Sequence, residues 1–150
     1  MVNTRNKIPP ILYEDEKDRS NQSNLISFFM NYTNCSSFDC PPNYPLDYLF
    51  KRDGKTVAMV ECRKRDHNFG FYPSVFCSMK KVNFAIDVIK NYDIPVVFLV
   101  EWKDGTIGIV DFDEDRYLDF QYKNFRNDPY DCEPVVHYNI DKFRILRNAN

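Results

Sequence analysis

The sequence predicts an α/β fold in which a central mixed β-sheet is flanked by helices. Apolar residues recur at spacings of three and four over residues 15–32 and 74–92, as in amphipathic helices. The nearly continuous apolar run over residues 94–102 is typical of a strand covered on both faces. Asp53-Gly54 and Asp104-Gly105 are hairpin signals. The predicted order is therefore helix, hairpin, helix and two further strands, which favours a mixed sheet covered by helices.

The other segments are assigned from their local composition. Residues 1–13 contain Pro9-Pro10 and are predicted to form an extended arm. Residues 34–44 are rich in Ser, Asn and Pro, which is typical of a loop. Near the end of the chain, Asp141 is expected to cap a short final helix. The remaining predictions are strands at 46–52, 56–63, 106–112 and 135–140, a loop at 67–73, a core at about 14–112 and a C-terminal extension at 113–150, packed on that core within a single domain 1–150.

Length and composition indicate one folded domain rather than a disordered chain. The chain has 150 residues and a mass of 17.9 kDa, with 43% hydrophobic and 16% aromatic residues. A net charge of −2 excludes a protein that is basic over its whole surface. The charge is uneven, because residues 51–65 carry six cations and two acids, whereas residues 111–133 carry eight acids and three cations. Any nucleic-acid contact must therefore depend on a local basic region.

The cysteine pattern favours free thiols in a reducing cytoplasm. The number is odd, no pair has CxxC spacing, and the sequence shows neither a signal peptide nor an apolar run long enough to span a bilayer. Neither His67 nor His137 has zinc-ligand spacing to a cysteine pair. The five cysteines are Cys35, Cys40, Cys62, Cys77 and Cys132.

Two carboxylates are placed to meet at the end of the first hairpin. Asp47 lies near the start of one predicted strand, and Glu61 lies near the end of the next. Strand side chains alternate between faces, so Arg63 is expected on the face of Glu61, while Cys62 and Lys64 point to the other face. Mg²⁺ prefers oxygen ligands, and the Cys62 backbone carbonyl is a third candidate beside the two carboxylates. Such a metal activates water and neutralises charge during phosphodiester hydrolysis.

This pattern resembles the PD-(D/E)XK nuclease superfamily, in particular small phage and bacterial nuclease-like proteins with the pattern E-x-K-x-R. Here it reads Glu61-Cys62-Arg63-Lys64-Arg65, preceded by Asp47. The resemblance covers about residues 12–112, with further similar pieces at 68–73, 78–81, 95–98 and 102–105. It implies a restriction-endonuclease-like core and a nuclease that uses Mg²⁺ or Mn²⁺ to hydrolyse DNA in phage DNA metabolism, inside the host cytoplasm.

The resemblance also assigns site residues. It implies Asp47, Glu61 and Arg63 as catalytic residues. The metal would be bound by Asp47, Glu61 and the Cys62 backbone carbonyl, and by Gln22 through a water molecule. The side chains expected to contact nucleic acid are Arg65, Lys64, Lys80, Lys81, Tyr72 and His67.

Two positions depart from the family pattern. Arg63 stands where the family carries its catalytic lysine, and Gln22 stands where the first helix carries an acid. Arginine keeps the positive charge, but it stays protonated and its planar fork does not replace an ammonium atom for atom. The lysine role is left open among Lys64, Lys80 and Lys81.

Other interpretations of the same residues stay open. Asp47 is also a candidate turn cap, and Glu61 a candidate for a structural ion pair with Arg63 or Lys81. The acids Asp111, Asp113, Glu114 and Asp115 are expected to form a solvated turn rather than a metal site. The alternative function is a catalytically degenerate relative that binds nucleic acid or a host protein. A weaker alternative is a scaffold subunit that forms a homodimer through its aromatic surface; no membrane partner is expected.

Overall fold

The computed structural model describes residues 16–122 and 132–149, with side chains described from residue 22 onward. The elements are α1 (Glu16–Thr33), β1 (Ser36–Asp39), β2 (Tyr48–Arg52), β3 (Lys55–Lys64), β4 (Ser74–Ser78), α2 (Met79–Tyr92), β5 (Val96–Glu101), β6 (Ile107–Asp111), β7 (Tyr117–Tyr122), β8 (Cys132–Asn139) and β9 (Arg144–Arg147). A 3-10 turn at Ile140–Lys142 separates the last two strands.

The main sheet is six-stranded and mixed, in the order β1-β2-β3-β5-β6-β9. Only β3 and β5 pair in parallel among these neighbours, and a parallel pair requires a long crossover, which here contains β4 and α2. The β2–β3 hairpin turns at Asp53 and Gly54, whose φ angles of 53° and 76° match the positive values of a type I′ turn. The predicted mixed sheet with two helices is therefore confirmed.

The main sheet is covered on both faces. On one face, Leu25, Ile26 and Phe29 of α1 form an apolar cluster with residues of the sheet, among them Phe50 of β2 and Val60 of β3. The other face packs against α2 and a second, three-stranded sheet in the order β4-β8-β7. Alternate residues of β5 point into the two apolar clusters, and this explains why its sequence is apolar throughout.

The second helix begins later than the periodicity predicts. The prediction of helix over residues 74–92 is wrong for its first five residues, which form β4 and pair with β8. Val75 and Cys77 are buried within β4, so this segment has the twofold alternation of a strand. Ser78 then caps α2, and its hydroxyl accepts a hydrogen bond from the backbone N–H of Lys81.

Other local predictions differ from the structure. The predicted loop at 34–44 contains the edge strand β1, and the predicted final helix is only the 3-10 turn, followed by β9. The reason for the second difference is that buried Phe143 packs on Trp102 and the chain then pairs with β6. The strand predicted at 135–140 belongs to β8, whereas β7 was not predicted. The predicted arm at 1–13 lies outside the described residues.

None of the helices that the structure describes combines the length and apolar character needed to cross a membrane.

Candidate active site

The antiparallel register of β2 and β3 brings Asp47 to the end of β3. Tyr48 pairs with Val60, so Asp47 lies beside the next residues of β3, Glu61 and Cys62. The Oδ2 atom of Asp47 accepts a hydrogen bond from the backbone N–H of Cys62 at 3.0 Å. Asp47 is thus fixed against the same strand that carries Glu61.

The guanidinium of Arg63 lies between the two acids. Its Nη2 atom is 2.6 Å from Glu61 Oε2, and its Nη1 atom is 3.7 Å from Asp47 Oδ2. The Nη1 atom also donates a hydrogen bond to the backbone carbonyl of Cys62 at 2.7 Å. One planar side chain therefore contacts three oxygens that the sequence analysis assigns to a metal.

A second cation reaches Glu61 from α2. Lys81 Nζ lies 2.8 Å from Glu61 Oε2. Lys81 belongs to the first turn of α2, whose start is fixed by Ser78. Lys80, by contrast, is exposed. Of the two lysines that the sequence assigns to this helix turn, Lys81 is thus the one that contacts a carboxylate of the site.

Burial dominates the electrostatics of Glu61. Its side chain is completely buried, and this desolvation raises its pKa from 4.5 to about 7, with Arg63 and Lys81 acting in the opposite direction and Asp47 adding to the rise. Burial lowers the pKa of Arg63, but the Glu61 and Asp47 carboxylates raise it by more, so its net direction is upward. Arg63 is therefore a permanent cation, whereas Glu61 is close to titration at neutral pH.

The donor set fits a divalent cation. Two carboxylates and a backbone carbonyl are the oxygen ligands that Mg²⁺ accepts, and Mg²⁺ keeps several waters in addition. The Oε1 atom of Glu61 is buried, yet no described residue donates a hydrogen bond to it. A buried carboxylate oxygen without a donor is costly, and a metal ligand is one role that satisfies it. Among the described side chains, those of residues 22–122 and 132–149, no three His, Cys, Asp or Glu form a metal-binding cluster.

Gln22 forms its described hydrogen bond on the face of the main sheet opposite to that of Glu61. Its Oε1 atom accepts a hydrogen bond from the hydroxyl of Tyr48 at 3.4 Å. Tyr48 packs against the apolar cluster on the α1 side, whereas Glu61 faces Lys81 of α2. The structure thus separates the described contact of Gln22 from the two carboxylates.

The two basic residues that follow Arg63 point in different directions. Lys64 pairs with Glu101 at 3.7 Å, in agreement with the alternation that places it on the face opposite Arg63. Arg65 donates a hydrogen bond from Nη2 to the carbonyl of Phe76 at 3.0 Å, and its guanidinium lies 5.4 Å from the centre of the Phe76 ring. Burial lowers the pKa of Arg65. Arg65 is therefore anchored to β4.

An aromatic group lies in the loop between β3 and β4. His67 and Tyr72 meet edge to face, with ring centres 4.7 Å apart, and Tyr72 meets Phe71 in the same way at 4.8 Å. Phe71 is 69% exposed and Tyr72 is 53% exposed. The loop base is held by Asp104, whose carboxylate accepts a hydrogen bond from Phe69 N–H at 3.2 Å. The sequence analysis missed Phe71, although it lies between Pro73 and the basic run.

The acids at the end of β6 and directly after it form the predicted turn, in which Asp111, Asp113 and Asp115 are exposed and Glu114 is half-buried. The backbone N–H of Glu114 donates to the carbonyl of Asp111, and the N–H of Asp115 donates to the Glu114 carboxylate. These carboxylates therefore contribute to a turn, and they are not part of the Asp47–Glu61 site.

All five cysteines, which lie within the described ranges, are free thiols. Burial raises the pKa of Cys77 to about 12 and that of Cys40 to about 11. Such thiols are poor nucleophiles, because the thiolate is the reactive form. The chemistry of the site therefore depends on its oxygens and cations.

Comparison with known proteins finds a family model that matches most of the chain. Residues 10–146 match the family model described as "Phage putative PDDEXK endonuclease". Among solved structures, the chain is similar to a Holliday junction resolvase, Hjc of the archaeal hyperthermophile Archaeoglobus fulgidus, with 6% sequence identity and a TM-score of 0.49 over 81% of this chain and 86% of the other. No curated protein matches the sequence.

Proposed function

This chain belongs to the phage PD-(D/E)XK endonuclease family, and we propose that it is a divalent-metal-dependent nuclease that hydrolyses DNA phosphodiester bonds. The observation that carries the proposal is that Asp47, Glu61 and the Cys62 carbonyl all lie around one cationic group, the guanidinium of Arg63. In this family, such a reaction would serve phage DNA metabolism in the host cytoplasm.

Each site residue has a role that follows from its contacts. Asp47, Glu61 and the Cys62 carbonyl would hold Mg²⁺ or Mn²⁺, which supplies Lewis acidity and an activated water. Lys81 orients Glu61 through its 2.8 Å ion pair. Arg63 would contact the scissile phosphate, for which its bidentate fork is suited. Because Arg63 does not release its proton, its contribution is to bind charge and not to transfer protons.

The surface around the site offers candidate DNA contacts. Lys80 is exposed at the start of α2, next to Lys81, the half-buried partner of Glu61. Tyr72 and His67 lie in the loop that joins β3 to β4. Glu61 belongs to β3, and β4 continues into the helix turn that carries Lys81. A backbone contact by Lys80 and stacking by Tyr72 would add affinity without sequence preference.

The experiment that tests the proposal is a nuclease assay with and without metal. The wild-type chain is expected to cleave DNA with Mg²⁺ or Mn²⁺ and to stop when EDTA is added. Asp47→Asn is expected to lower the rate by at least about a hundredfold, since it removes one of the two carboxylate charges from the metal site. Asp87→Asn is the matched control, because Asp87 is an exposed acid of α2. Equal rates for wild type and Asp47→Asn would contradict the proposal.

A second candidate function is a catalytically degenerate relative that binds nucleic acid. It is favoured by one observation: Arg63 and Lys81 already neutralise the two carboxylates, and Arg63 replaces the family lysine. Arg63→Lys separates the two functions. For an enzyme, this change preserves or raises turnover, because the charge is kept. If the wild type and Arg63→Lys are both inert with Mg²⁺ and Mn²⁺ while Asp47→Asn still binds DNA, the binding function is correct.

A further inference from the structure

We propose that Arg63 competes with the metal for the same oxygens, so that metal and DNA phosphate bind in a mutually dependent way. In the free protein, the guanidinium would stand in for the divalent ion. When the ion binds, Arg63 would move to the phosphate. The proposal rests on the metal-dependent function given above, and it adds how occupancy of that site is regulated.

The first argument is the overlap of contacts. The Arg63 nitrogens lie 2.6 Å from Glu61 Oε2 and 2.7 Å from the Cys62 carbonyl. A Mg²⁺ ion requires its oxygen ligands at about 2.0–2.1 Å in near-octahedral geometry. An oxygen that already accepts a short hydrogen bond from a guanidinium has little room for such an ion on the same side. Arg63 therefore has to release Glu61 Oε2 and the Cys62 carbonyl before these two atoms bind a metal, whereas Glu61 Oε1 accepts no hydrogen bond from the described residues and is open to the ion without this exchange.

The second argument is charge. The two carboxylates, Asp47 and Glu61, are balanced by the two cations, Arg63 and Lys81. A divalent ion added to this group gives an excess of two positive charges around a completely buried carboxylate. Like charges repel strongly at such a desolvated position, since the effective dielectric is low. One cation is thus expected to leave when the ion enters.

The third argument identifies Arg63 as the cation that leaves. The two side chains are similarly exposed, 33% for Arg63 and 25% for Lys81, but Arg63 contacts all three groups assigned to the metal, whereas Lys81 contacts Glu61 Oε2. A guanidinium binds phosphate through two parallel hydrogen bonds, so DNA offers Arg63 a new partner. If Arg63 exchanges carboxylate for phosphate, each ligand strengthens the other, and the two coupling factors must be equal.

The test is Mn²⁺ affinity, measured by calorimetry without any cleavage. Arg63→Gln is expected to bind Mn²⁺ about tenfold more tightly than the wild type, within the range typical of coupled sites. A phosphorothioate duplex that resists hydrolysis is expected to raise the Mn²⁺ affinity of the wild type by a similar factor and that of Arg63→Gln much less. Arg147→Gln is the control, since Arg147 pairs with Glu101 and not with the site carboxylates.

Arg63→Lys keeps the test valid if Arg63→Gln does not fold. Its ammonium is too compact to span both acids and the carbonyl, so an intermediate gain in Mn²⁺ affinity is expected. Equal Mn²⁺ affinity in the wild type and the Arg63 variants would overturn the competition while leaving the nuclease function intact. Absence of Mn²⁺ binding in all of them, with or without DNA, would overturn the metal-dependent function itself.

Discussion

At the scale of single residues, the site contrasts an arginine with a lysine beside the same carboxylate. Arg63 contacts Glu61, Asp47 and the Cys62 carbonyl because its planar fork presents several N–H groups at fixed angles. Lys81 is a compact cation, and it meets Glu61 Oε2 at 2.8 Å. Arg63 therefore joins the two acids into one unit, whereas Lys81 reinforces one of them.

The raised pKa of Glu61 predicts a pH-dependent stability. The folded protein binds the Glu61 proton more tightly than the unfolded chain, since the pKa rises from 4.5 to about 7. The stability gained from this proton is complete below about pH 4.5 and is lost as the pH rises through about 7, a loss of about 3 kcal/mol. Glu61→Gln is expected to remove this loss. Denaturant unfolding of both chains between pH 5 and 8.5 measures it.

Asp87→Asn is the control for this measurement, because Asp87 is exposed and its variant should follow the pH curve of the wild type. The difference in unfolding free energy between Glu61→Gln and the wild type should grow with pH. Parallel curves for the two chains would contradict the assigned titration.

The sequence predicted which side chains share a face, and it offered Arg63 or Lys81 as an ion-pair partner of Glu61; the structure shows both pairs. Alternation along β3 correctly placed Glu61 and Arg63 together and Lys64 apart, where it pairs with Glu101. It did not indicate that Arg63 turns back onto its own strand and donates to the Cys62 carbonyl. That conformation depends on the position of Asp47, which is set by pairing with another strand. Sequence periodicity carries no such information.

At the scale of elements, the start of α2 determines the position of Lys81. Ser78 ends β4 and caps α2, with its hydroxyl 3.3 Å from the backbone nitrogen of Lys81. The helix ends at Tyr92 and is capped by Asp93, whose φ angle of 55° places it in the left-handed region and whose N–H donates to the Ile89 carbonyl. Both ends of α2 are thus defined by specific residues.

Loss of the Ser78 cap is expected to destabilise the protein. Ser78→Ala removes the acceptor for the Lys81 N–H and should lower the unfolding free energy by about 1 kcal/mol. Ser78→Asp should retain most of the stability, because aspartate also caps helices. Ser27→Ala, at an exposed position of α1, is the matched control and should be close to neutral. Urea unfolding measures all three variants, and a wild-type midpoint for Ser78→Ala would contradict the capping role.

Elements with a clear period were predicted, and short or exposed ones were not. The prediction of β5 was correct because this strand is buried on both faces and its sequence is one apolar run. By contrast, every residue of β7 is exposed, so no inward–outward alternation marks it. The strands β1 and β9 have four residues each and are defined mainly by pairing with a neighbour. Pairing between distant segments is not visible in local sequence.

At the scale of the whole molecule, a small negative net charge coexists with a locally basic segment, of which Arg63, Lys64 and Arg65 lie near the site and Lys51, Arg52 and Lys55 lie at the turn end of the β2–β3 hairpin. The chain carries −2, yet residues 51–65 hold six cations against two acids. If DNA binds at the site, each phosphate contact releases counterions, and affinity falls with added salt. The binding constant should therefore decrease steeply between 50 and 200 mM salt. In a plot of its logarithm against the logarithm of the salt concentration, each phosphate contact adds about 0.9 to the slope. Fluorescence anisotropy with a labelled duplex measures this slope.

Lys80 and Lys90 give a matched pair for this salt dependence. Lys80 is exposed at the start of α2, beside Lys81, whereas Lys90 lies in the last turn of the same helix. Lys80→Ala should reduce the magnitude of the slope by about 0.9, since one contact is lost. Lys90→Ala should leave it unchanged. Affinity that is insensitive to salt would favour a protein partner instead of DNA.

The direct passage of β4 into α2 has a mechanical consequence. Ser78 is the last residue of the strand and Met79 the first of the helix, so no loop separates the three-stranded sheet from the helix turn that carries Lys81. Glu61, the partner of Lys81, belongs to the six-stranded sheet. Their ion pair thus joins the two sheets. A tilt of the smaller sheet relative to the larger one would stretch or compress this pair, and any strain between the sheets would reach the carboxylate directly.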